Sequence, residues 1–484
     1  MKPKPDDNIS KYYSTDKRGK IMNYRLESDS VGEKQVPASA YYGVQSLRAK
    51  ENFNITGKMI PQVQIFSLAE IKKACAITNK AAGTLSAEIA DKICEACDEI
   101  LAGNFHCEFI TDQIQGGAGT STNMNANEVI ANIALEKMGK EKGDYKFCHP
   151  NDHVNMAQST NDVYPTSLKL SIYKTGLQLI AKLDDIHNAL MAKSEEFRNV
   201  LKLGRTQLMD AVPVTLGQEF HAYASAVARD KKRIEHALKE MLVVNMAATA
   251  IGTGINTSEY FFNNIVPVLS DVTGLALTQS EDMVDGTQNI DSFSVVSSSL
   301  KTCAISLSKM SNDIRLMNGG PKAGLAEITI PAKQNGSSIM PGKINPVIPE
   351  VMNQCCFAVM GNDFTVTMAC EAGQLELNAF EPVVFNRIYD SMTMLMNGID
   401  TFIVNCINGI VANEERCKDL LYHSTGFVTA LCPVIGYKAS ADIAKKFLKD
   451  GTPIVEGALA MGVTQEQLDE ALNAEKLCRQ FDKN

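Results

Sequence analysis

The stretch TSLKLSIYKTGLQLIAKLDDIHNALMAKSEEFRNVL, residues 166–201, decides the fold class of this chain. Its apolar residues recur at intervals of three, four and seven: Leu168, Ile172, Leu179, Leu183, Ile186, Leu190, Phe197 and Leu201. A second stretch repeats the pattern at Leu216, Phe220, Tyr223, Val227, Ile234, Leu238 and Met241. An apolar seam longer than about 25 residues is typical of long bundle helices. Since long helices must bury their seams, the sequence predicts a mainly α protein with a central helical bundle.

Further helical patterns cover residues 291–316, 349–367 and 383–412. Apolar residues also occur off the main seam, namely Leu170, Leu177, Ile180, Val243 and Val244. They indicate burial on more than one side of the helices, and therefore an oligomer. We predict an N-terminal, mostly helical domain over 25–160, the bundle over 161–415 and a small helical domain over 416–484. In the last of these, Thr452 and Thr464 have the character of helix N-caps.

Composition excludes several classes of function. The chain has 484 residues, a formal net charge of −9 and 45% hydrophobic residues. This acidic balance argues against a general nucleic-acid binder, which should carry a basic face. It has no apolar run of about 18 residues, so we expect no membrane span. Residues 1–24 are polar and lack the apolar core of a secretory signal, so we expect a disordered leader. The thirteen scattered cysteines favour reduced thiols in the cytoplasm.

The segment GSSIMPGKINP, residues 336–346, carries two adjacent hydroxyls, a cation and an amide ahead of a helical pattern. Backbone N–H groups at the start of a helix have no intrahelical partners, and the helix dipole adds positive potential. Such a loop can hold an anion, so a serine held there has a physical reason to ionise and act as a base. The alternative is an ordinary Gly/Ser surface loop closed by Pro341.

Three other segments place hydroxyls and amides at or near the start of a helical pattern: GGAGTSTNMN at 116–125, QSTND at 158–162 and GRTQLMDAVP at 204–213. Small uncharged donors at helix starts suit carboxylate recognition, because they bind oxygens without adding negative charge. Each segment alone is also explained by helix capping, for which Ser, Thr and Asn are the usual residues.

Metal and redox sites have little support. Cys94 and Cys97 have C-x-x-C spacing, but they lie in a helical pattern without a second ligand pair. Among the seven histidines, only His149 and His153 flank a motif, and both are explained by loop packing. We found no histidine–carboxylate cluster with metal-ligand spacing.

Together the four segments resemble the aspartase/fumarase superfamily over nearly the whole chain. Within it, GTSTNMN at 119–125, the central threonine of residues 159–161 and NPVIPEVMNQ at 345–354 resemble the aspartate ammonia-lyase branch. The resemblance implies a three-domain, mainly α architecture with a central long-helix bundle that assembles into a tetrameric core. It implies reversible removal of ammonia from L-aspartate to give fumarate, with each active site built from three subunits. It implies no required cofactor; some members are activated by a divalent metal, for which we assign no site.

The resemblance also implies a role for each motif residue. Ser337 would be the general base that removes a C3 proton, leaving an enediolate-like intermediate. The carboxylate beside C3 would be bound by Thr120, Ser159, Thr160 and Ser338. Lys343 and Asn345 would hold the other carboxylate, and Asn161 and Thr206 would lie near the departing amino group.

Gln207, which we also assign to substrate binding, stands where many members of the superfamily have histidine. Glutamine cannot act as a general acid, but ammonia leaves from a protonated amine without one. Two alternatives remain open. One is a fumarase or another lyase that releases fumarate. The other is a non-catalytic helical assembly, against which stands the retention of chemically competent residues in every motif.

Overall fold

The computed structural model describes residues 13–15 and 21–477, and helices dominate it. In chain order the α-helices are α1 Val44–Asn52, α2 Gln62–Ala81, α3 Ala87–Leu101, α4 Thr120–Lys137, α5 Thr160–Glu196, α6 Leu216–Leu238, α7 Glu259–Thr273, α8 Asp285–Gln288, α9 Asp291–Asn318, α10 Val347–Glu371, α11 Glu381–Asn405, α12 Glu414–Tyr422, α13 Gly426–Ile435, α14 Tyr437–Asp450, α15 Ile454–Ala460, α16 Gln465–Ala471 and α17 Ala474–Leu477. Short 3₁₀ helices occur at His106–Glu108, Lys239–Leu242 and Ile407–Gly409, and a π-helix at Pro150–Val154. The predicted mainly α class is confirmed.

Strands are few and short. They are β1 Tyr13–Thr15, β2 Ile21–Asp29, β3 Gly32–Pro37, β4 Leu201–Thr206, β5 Met209–Thr215, β6 Val243–Val244, β7 Thr278–Gln279, β8 Ile328–Thr329 and β9 Val411–Ala412. They form the sheet β1-β2-β3 and three two-stranded sheets, β4-β5, β6-β7 and β8-β9. Among the strands of the described residues, only the pair β6 and β7 runs parallel.

The predicted disordered leader, residues 1–24, lies mostly outside the described residues. Within it, β1 pairs antiparallel with the start of β2, with Tyr13 opposite Asn23 and Thr15 opposite Ile21. The expectation of disorder is therefore wrong for these strand residues. Backbone pairing with the following strand gives them an ordered conformation that polar composition did not reveal.

The chain divides into two compact units. The first contains residues 1–177, 235–298 and 361–392, and the second contains residues 178–234, 299–360 and 393–484. The long helices α5, α6, α9, α10 and α11 each contribute residues to both. The predicted boundaries at 24, 160 and 415 stay a prediction.

In the second unit, polar contacts join α5, α6, α9 and α10 into a bundle. Lys231 of α6 donates to Asp184 of α5 at 2.7 Å, and Tyr223 of α6 donates to Asp313 of α9 at 2.9 Å. Asn353 of α10 donates to the Ser308 hydroxyl of α9 at 2.9 Å. The predicted seam is confirmed for its buried members, which are Leu168, Ile172, Leu179, Leu183, Ile186, Leu190, Phe197, Leu216, Phe220, Val227, Ile234, Leu238 and Met241. Tyr223 is half-buried, and the prediction is wrong for Leu201, which is half-buried at the start of β4 and not on a helix.

In the first unit, α2, α3, α4 and α7 pack together with the start of α5 around one apolar core. Its fully buried members include Leu68, Ile93, Val129, Val163 and Phe261. The Cys94–Cys97 pair lies within α3, as the helical pattern predicted. This packed core supports the helix starts at Thr120 and Thr160.

One of the two predicted C-terminal helix caps is confirmed and the other is wrong. Thr464 caps α16 through a capping box, since its side chain accepts the Gln467 N–H and its own N–H is bound by the Gln467 side chain. Thr452 does not cap α15, which has Pro453 at its N-cap. The Thr452 hydroxyl binds Asp450 instead.

No helix within residues 13–15 and 21–477 is long and apolar enough to cross a membrane.

Candidate active site

The QSTND segment forms the first turn of α5, as predicted. The Ser159 hydroxyl accepts the Asn161 N–H at 3.2 Å, so Ser159 does cap the helix. The Asp162 carboxylate accepts the N–H of Ser159 at 3.0 Å and that of Thr249 at 3.0 Å. Asp162 is fully buried, and burial raises its pKa to about 7 although both N–H groups act in the opposite direction. The buried Asp162 carboxylate therefore fixes this turn, while the Ser159 side chain stays half-buried and in reach of solvent.

Asn161 and Thr160 are also held by specific bonds. The Asn161 side-chain amide donates to the carbonyl of Ala250 at 2.7 Å, and the Asn161 carbonyl accepts from Asn245 at 3.0 Å. The Thr160 hydroxyl accepts from the Asn123 amide at 3.2 Å. Because Asn123 belongs to α4, this bond ties the helix that begins at Thr120 to the turn at 159–161.

The glycine-rich segment before α4 delivers Thr120 to the helix start. Gly119 has φ +85°, and a Cβ there would lie 2.4 Å from the Tyr164 ring, so only glycine fits this position. Thr120 is exposed, and its hydroxyl donates to the Gly117 carbonyl at 2.7 Å. It lines a cavity of about 450 Å³ together with Ser121, His149, Arg48, Asp29 and other residues of the first unit.

In the second unit, the serine loop precedes α10, and it folds around its first serine. Ser337 donates its N–H to the Lys343 carbonyl at 2.9 Å. The Ser337 hydroxyl oxygen accepts the N–H of Ile339 at 3.2 Å and of Met340 at 3.1 Å. These N–H groups belong to the loop itself, because α10 begins only at Val347. Two main-chain dipoles therefore point at the oxygen that the sequence singled out, although they do not come from a helix start.

The closure of this loop requires glycine at position 336. A Cβ there would lie 2.1 Å from the Lys343 carbonyl oxygen, which is the acceptor of the Ser337 N–H. Ser338, Lys343 and Asn345 are exposed on the same loop. Lys343 and Asn345 line a cavity of about 770 Å³ with residues of the second unit that include Asn318, Thr329 and Asn413.

Thr206 and Gln207 are not at a helix start, which corrects the prediction for segment 204–213. They lie at the turn of the β4–β5 hairpin, where Thr206 pairs with Met209. Gln207 and Leu208 occupy the turn with φ of 54° and 63°, the left-handed conformation that two-residue hairpin turns need. The antiparallel pairing of β4 with β5 overrides the helical signal from α6, which begins only at Leu216. Both Thr206 and Gln207 are exposed at the tip.

Buried charges support the base of this hairpin. The ammonium of Lys202 lies 2.8 Å from Glu219 and 2.9 Å from Glu327, and Arg205 donates to Glu327 at 2.8 Å. Glu327 is fully buried, and Lys202 is almost so. The four side chains carry equal numbers of opposite charges, so the buried cluster is neutral overall. It fixes the strand that ends at Thr206.

His149 and His153 have a structural role, because both accept main-chain hydrogen bonds near the start of the π-helix. His149 Nδ1 accepts the N–H groups of Asn151 and Asp152 at the start of the π-helix, and His153 Nδ1 accepts the His149 N–H. Burial lowers the pKa of His153. Within the described part of the chain, all twelve cysteines are free. The same part contains no group of three or more His, Cys, Asp or Glu side chains arranged to hold a metal ion.

The predicted residues thus fall into two sets. The first unit holds Thr120, Ser159, Thr160 and Asn161 on two adjoining helix starts, and the second holds Thr206, Gln207, Ser337, Ser338, Lys343 and Asn345 on a hairpin and a loop. Sequence reasoning missed the polar side chains behind the first set, above all Lys72 and Asn155. A signal existed, because Lys72 stands on the apolar stripe of α2 four residues after Leu68 and three before Cys75.

Comparison with known proteins shows the family of this chain. The family model described as Lyase matches residues 32–361, and that described as Fumarase C C-terminus matches residues 427–479. Aspartate ammonia-lyase of Bacillus subtilis (strain 168) is 50% identical over 451 residues, which are 93% of this chain and 95% of that protein. Aspartate ammonia-lyase of Helicobacter pylori (strain J99) is 48% identical over 456 residues, 94% of this chain and 97% of that protein.

Solved structures show the same fold. The cobalt-bound fumarate lyase:delta crystallin from Brucella melitensis superposes with a TM-score of 0.91 at 45% identity, covering 94% of this chain and 99% of that one. The recombinant class II fumarase from Schistosoma mansoni superposes with a TM-score of 0.88 at 34% identity, covering 96% of this chain and 100% of that one. The chain belongs to the Lyase family, within the aspartase/fumarase superfamily, because both family models match it and its relatives are similar over nearly their whole length.

Proposed function

We propose that this protein is an aspartate ammonia-lyase, which reversibly eliminates ammonia from L-aspartate to give fumarate. The observation that carries the mechanism is the Ser337 hydroxyl oxygen, which accepts two main-chain N–H groups, from Ile339 and Met340. Relatives 45–50% identical over most of their length bear the name aspartate ammonia-lyase, which supports the choice of substrate.

Ser337 acts as the general base in this proposal. A free serine hydroxyl is too weak an acid to ionise near neutral pH, so its surroundings must favour the alkoxide. Hydrogen bonds donated to the charged form do so, and Lys343 on the same loop adds a positive charge. The alkoxide removes a proton from C3 of L-aspartate, and the electron pair moves onto the adjacent carboxylate.

The resulting enediolate-like intermediate carries two negative charges on one carboxylate, so its stabilisation is the main task of the site. We assign this task to the hydroxyls of Thr120, Ser159, Thr160 and Ser338. Hydroxyl donors strengthen their bonds as charge develops, and they add no negative charge of their own. Lys343 and Asn345 bind the other carboxylate of L-aspartate, where a fixed cation assists binding of the negatively charged group.

Ammonia departs next to Asn161, Thr206 and Gln207 in this mechanism. A protonated amine leaves as neutral ammonia and needs no further proton at the carbon–nitrogen bond. Gln207 therefore serves as a hydrogen-bonding residue at the exposed hairpin tip. A fumarase has a greater need for an acid at this step, because it expels hydroxide or water. Gln207 thus favours the lyase of an amine over the fumarase alternative.

The direct test is fumarate formation, followed by its ultraviolet absorbance with purified protein and L-aspartate. We expect fumarate from L-aspartate and no comparable rate from L-malate or argininosuccinate. Turnover of malate without turnover of aspartate would establish the fumarase alternative. Absence of fumarate from all three substrates would favour the non-catalytic assembly.

We also propose that the protein is a homotetramer whose active sites combine segments of different subunits. Apolar side chains on α10 support this, since Phe357 is 59% exposed and Phe364 is 68% exposed in the single chain. The division of the motif residues between two units also suits a site completed by neighbouring subunits.

Subunit mixing tests this assembly. Ser337→Ala and Thr160→Val chains, each expected to be nearly inactive alone, are denatured, mixed and refolded together. Light scattering should give the mass of four chains, and the mixed tetramers should regain turnover, because some sites then combine intact segments from both chains. A monomeric mass, or no regain of activity in a mixed tetramer, would contradict shared sites.

The remaining features of the proposal follow from its chemistry. No step of this mechanism requires a cofactor, and we assign no site for an activating divalent metal. Twelve described cysteines without a disulfide suit a reducing compartment, and we propose the cytoplasm.

A further inference from the structure

Lys72 of α2 is a lysine with no exposed surface at all. Its neighbour Lys73 behaves as most lysines do and pairs with Asp98 at the protein surface, at 2.6 Å. Fully buried lysines are rare, because removing an ammonium from water costs several kcal/mol. A methionine or leucine would fill the same space without that cost, so the position of Lys72 calls for a reason other than packing.

The partners of Lys72 are neutral amides rather than carboxylates. Its ammonium donates to Asn155 Oδ1 at 2.9 Å and to Gln158 Oε1 at 2.8 Å. Burial lowers the pKa of Lys72 to about 8, while the negative charge of Asp162 acts in the opposite direction. Two amide oxygens bound to one ammonium have a defined orientation, because turning either amide over would point its NH₂ group at the cation.

The Asn155 amide in turn fixes the orientation of the Asn123 amide. Asn155 Oδ1 accepts not only from Lys72 but also from the side-chain NH₂ groups of Asn123 at 3.2 Å and Asn127 at 3.1 Å. The Asn123 NH₂ group in turn donates to the Thr160 hydroxyl oxygen at 3.2 Å. A chain of hydrogen bonds therefore runs from the buried ammonium through two amides to the Thr160 side chain.

The direction of this chain has a chemical consequence at Thr160. A hydroxyl has one proton to donate, and the Asn123 NH₂ group binds the Thr160 oxygen without using that proton. The proton therefore stays available for a substrate carboxylate. If Asn123 were turned over, its oxygen would face Thr160 and take the proton. Asn123 is almost fully buried, so water cannot compensate.

Lys72 also supports this turn through Gln158, the residue that precedes Ser159. Gln158, which accepts from the ammonium, directly precedes Ser159, and its side chain also donates to the Val154 carbonyl at 3.0 Å. Asp162 follows the turn and is fully buried. The Lys72 ammonium thus orients Gln158, which precedes the turn, and its charge acts favourably on the Asp162 carboxylate.

We propose that Lys72 is a positioning residue whose ammonium orients the Asn155 and Asn123 amides so that Thr160 presents its hydroxyl proton to the substrate carboxylate. The inference rests on the proposed function, which assigns Thr160 to that carboxylate. It makes Lys72 necessary for the chemical step although the lysine touches neither the substrate nor the reacting atoms.

The first test compares Lys72→Met with Lys73→Met, two changes of equal size on adjacent residues. The steady-state kcat and KM for L-aspartate are measured with the intact protein. Loss of one donor to a developing oxyanion typically lowers kcat by about 100-fold or more, so we expect that loss in Lys72→Met with a much smaller change in KM. Lys73→Met should keep the kcat of the wild type. Equal kcat in Lys72→Met and the wild type would overturn the proposal.

A double-mutant cycle separates positioning from a general structural defect. Thr160→Val removes the hydroxyl through which Lys72 is inferred to act, so Lys72→Met should cost little further kcat in that background. Losses that multiply, as for independent sites, would sink the inference. Asn123→Ser covers the case in which Lys72→Met does not fold, because it cuts the chain beside Thr160 and leaves the ammonium in place. It should lose about the same factor in kcat, again without further loss in Thr160→Val, and wild-type kinetics in Asn123→Ser would refute the chain of bonds.

The wild-type protein serves as the reference for the proposed function. If it forms no fumarate from L-aspartate, the proposed function fails, whatever the variants do. If it forms fumarate and the cycle is multiplicative, the function stands and only the role of Lys72 fails.

Discussion

Replacing Ser337 with alanine is expected to lower kcat for fumarate formation by about 1,000-fold or more, near the upper part of the range for loss of a general base. The reason is that this hydroxyl oxygen, bound by the N–H groups of Ile339 and Met340, is the only atom that we assign to C3 proton removal. The fold should remain intact, because Ser337 lies on a half-exposed loop outside the helical cores. Unchanged kcat in Ser337→Ala would refute the mechanism.

A matched variant separates the lost base from a disturbed loop. Alanine removes the acceptor of two N–H groups, so the loop itself could change. Asparagine at position 337 supplies a side-chain oxygen that can accept the same N–H groups in a local turn, but it has no ionisable hydroxyl. We expect Ser337→Asn to be as inactive as Ser337→Ala. Exchange of the C3 hydrogen of aspartate with deuterated solvent should be lost in both, and retained exchange would point to another base.

Replacing Lys202 with methionine is expected to lower the free energy of unfolding by about 3–5 kcal/mol. Lys202 lies between Glu219 and Glu327, and its side chain is 2% exposed. Burial lowers the pKa of Lys202, but the two neighbouring carboxylates raise it by more. The net shift is upward, so the ammonium stays charged. Removing it leaves the buried cluster with one uncompensated negative charge. Urea unfolding at one fixed protein concentration measures the effect.

A control at an exposed ion pair sets the scale for Lys202. Lys92 and Glu95 form such a pair on the surface of α3, and Lys92→Met should cost less than about 1 kcal/mol. Similar losses in both lysine variants would show that the buried cluster contributes no more than a surface pair. Because Lys202 and Thr206 belong to the same strand, Lys202→Met should also weaken aspartate turnover if the hairpin tip contributes to the site.

The helical architecture could be predicted because its signal is local. A seam such as Leu168, Ile172, Leu179 and Leu183 is visible at helical spacing, and burial of each member confirmed it. The cap at Thr464 is local as well, since all its hydrogen bonds fall within three residues. The motif residues Ser159, Thr160 and Asn161 were placed correctly at a helix start for the same reason. Their roles in catalysis remain predictions.

Signals that depend on distant partners were misread or missed. The sequence predicts that segment 204–213 lies at or near a helix start, whereas pairing of Thr206 with Met209 makes it a hairpin that ends just before α6. The sequence also predicts a disordered leader that includes Tyr13–Thr15, yet these residues pair with β2. In both cases the backbone hydrogen bonds reach across a turn to a second strand, and composition alone does not reveal that partner.

The amino-acid sequence by itself determined the long helical segments and the buried face of α5 and α6, and it predicts which side chains bind a dicarboxylate. Spacing and chemistry along the chain carry that information. Tertiary structure alone decided which way the buried amides face and which N–H groups reach the Ser337 oxygen. Lys72 and Asn155 are 83 residues apart in the chain, yet the Lys72 ammonium lies 2.9 Å from Asn155 Oδ1. Contacts of that kind depend on packing of the whole unit, and no local pattern specifies them.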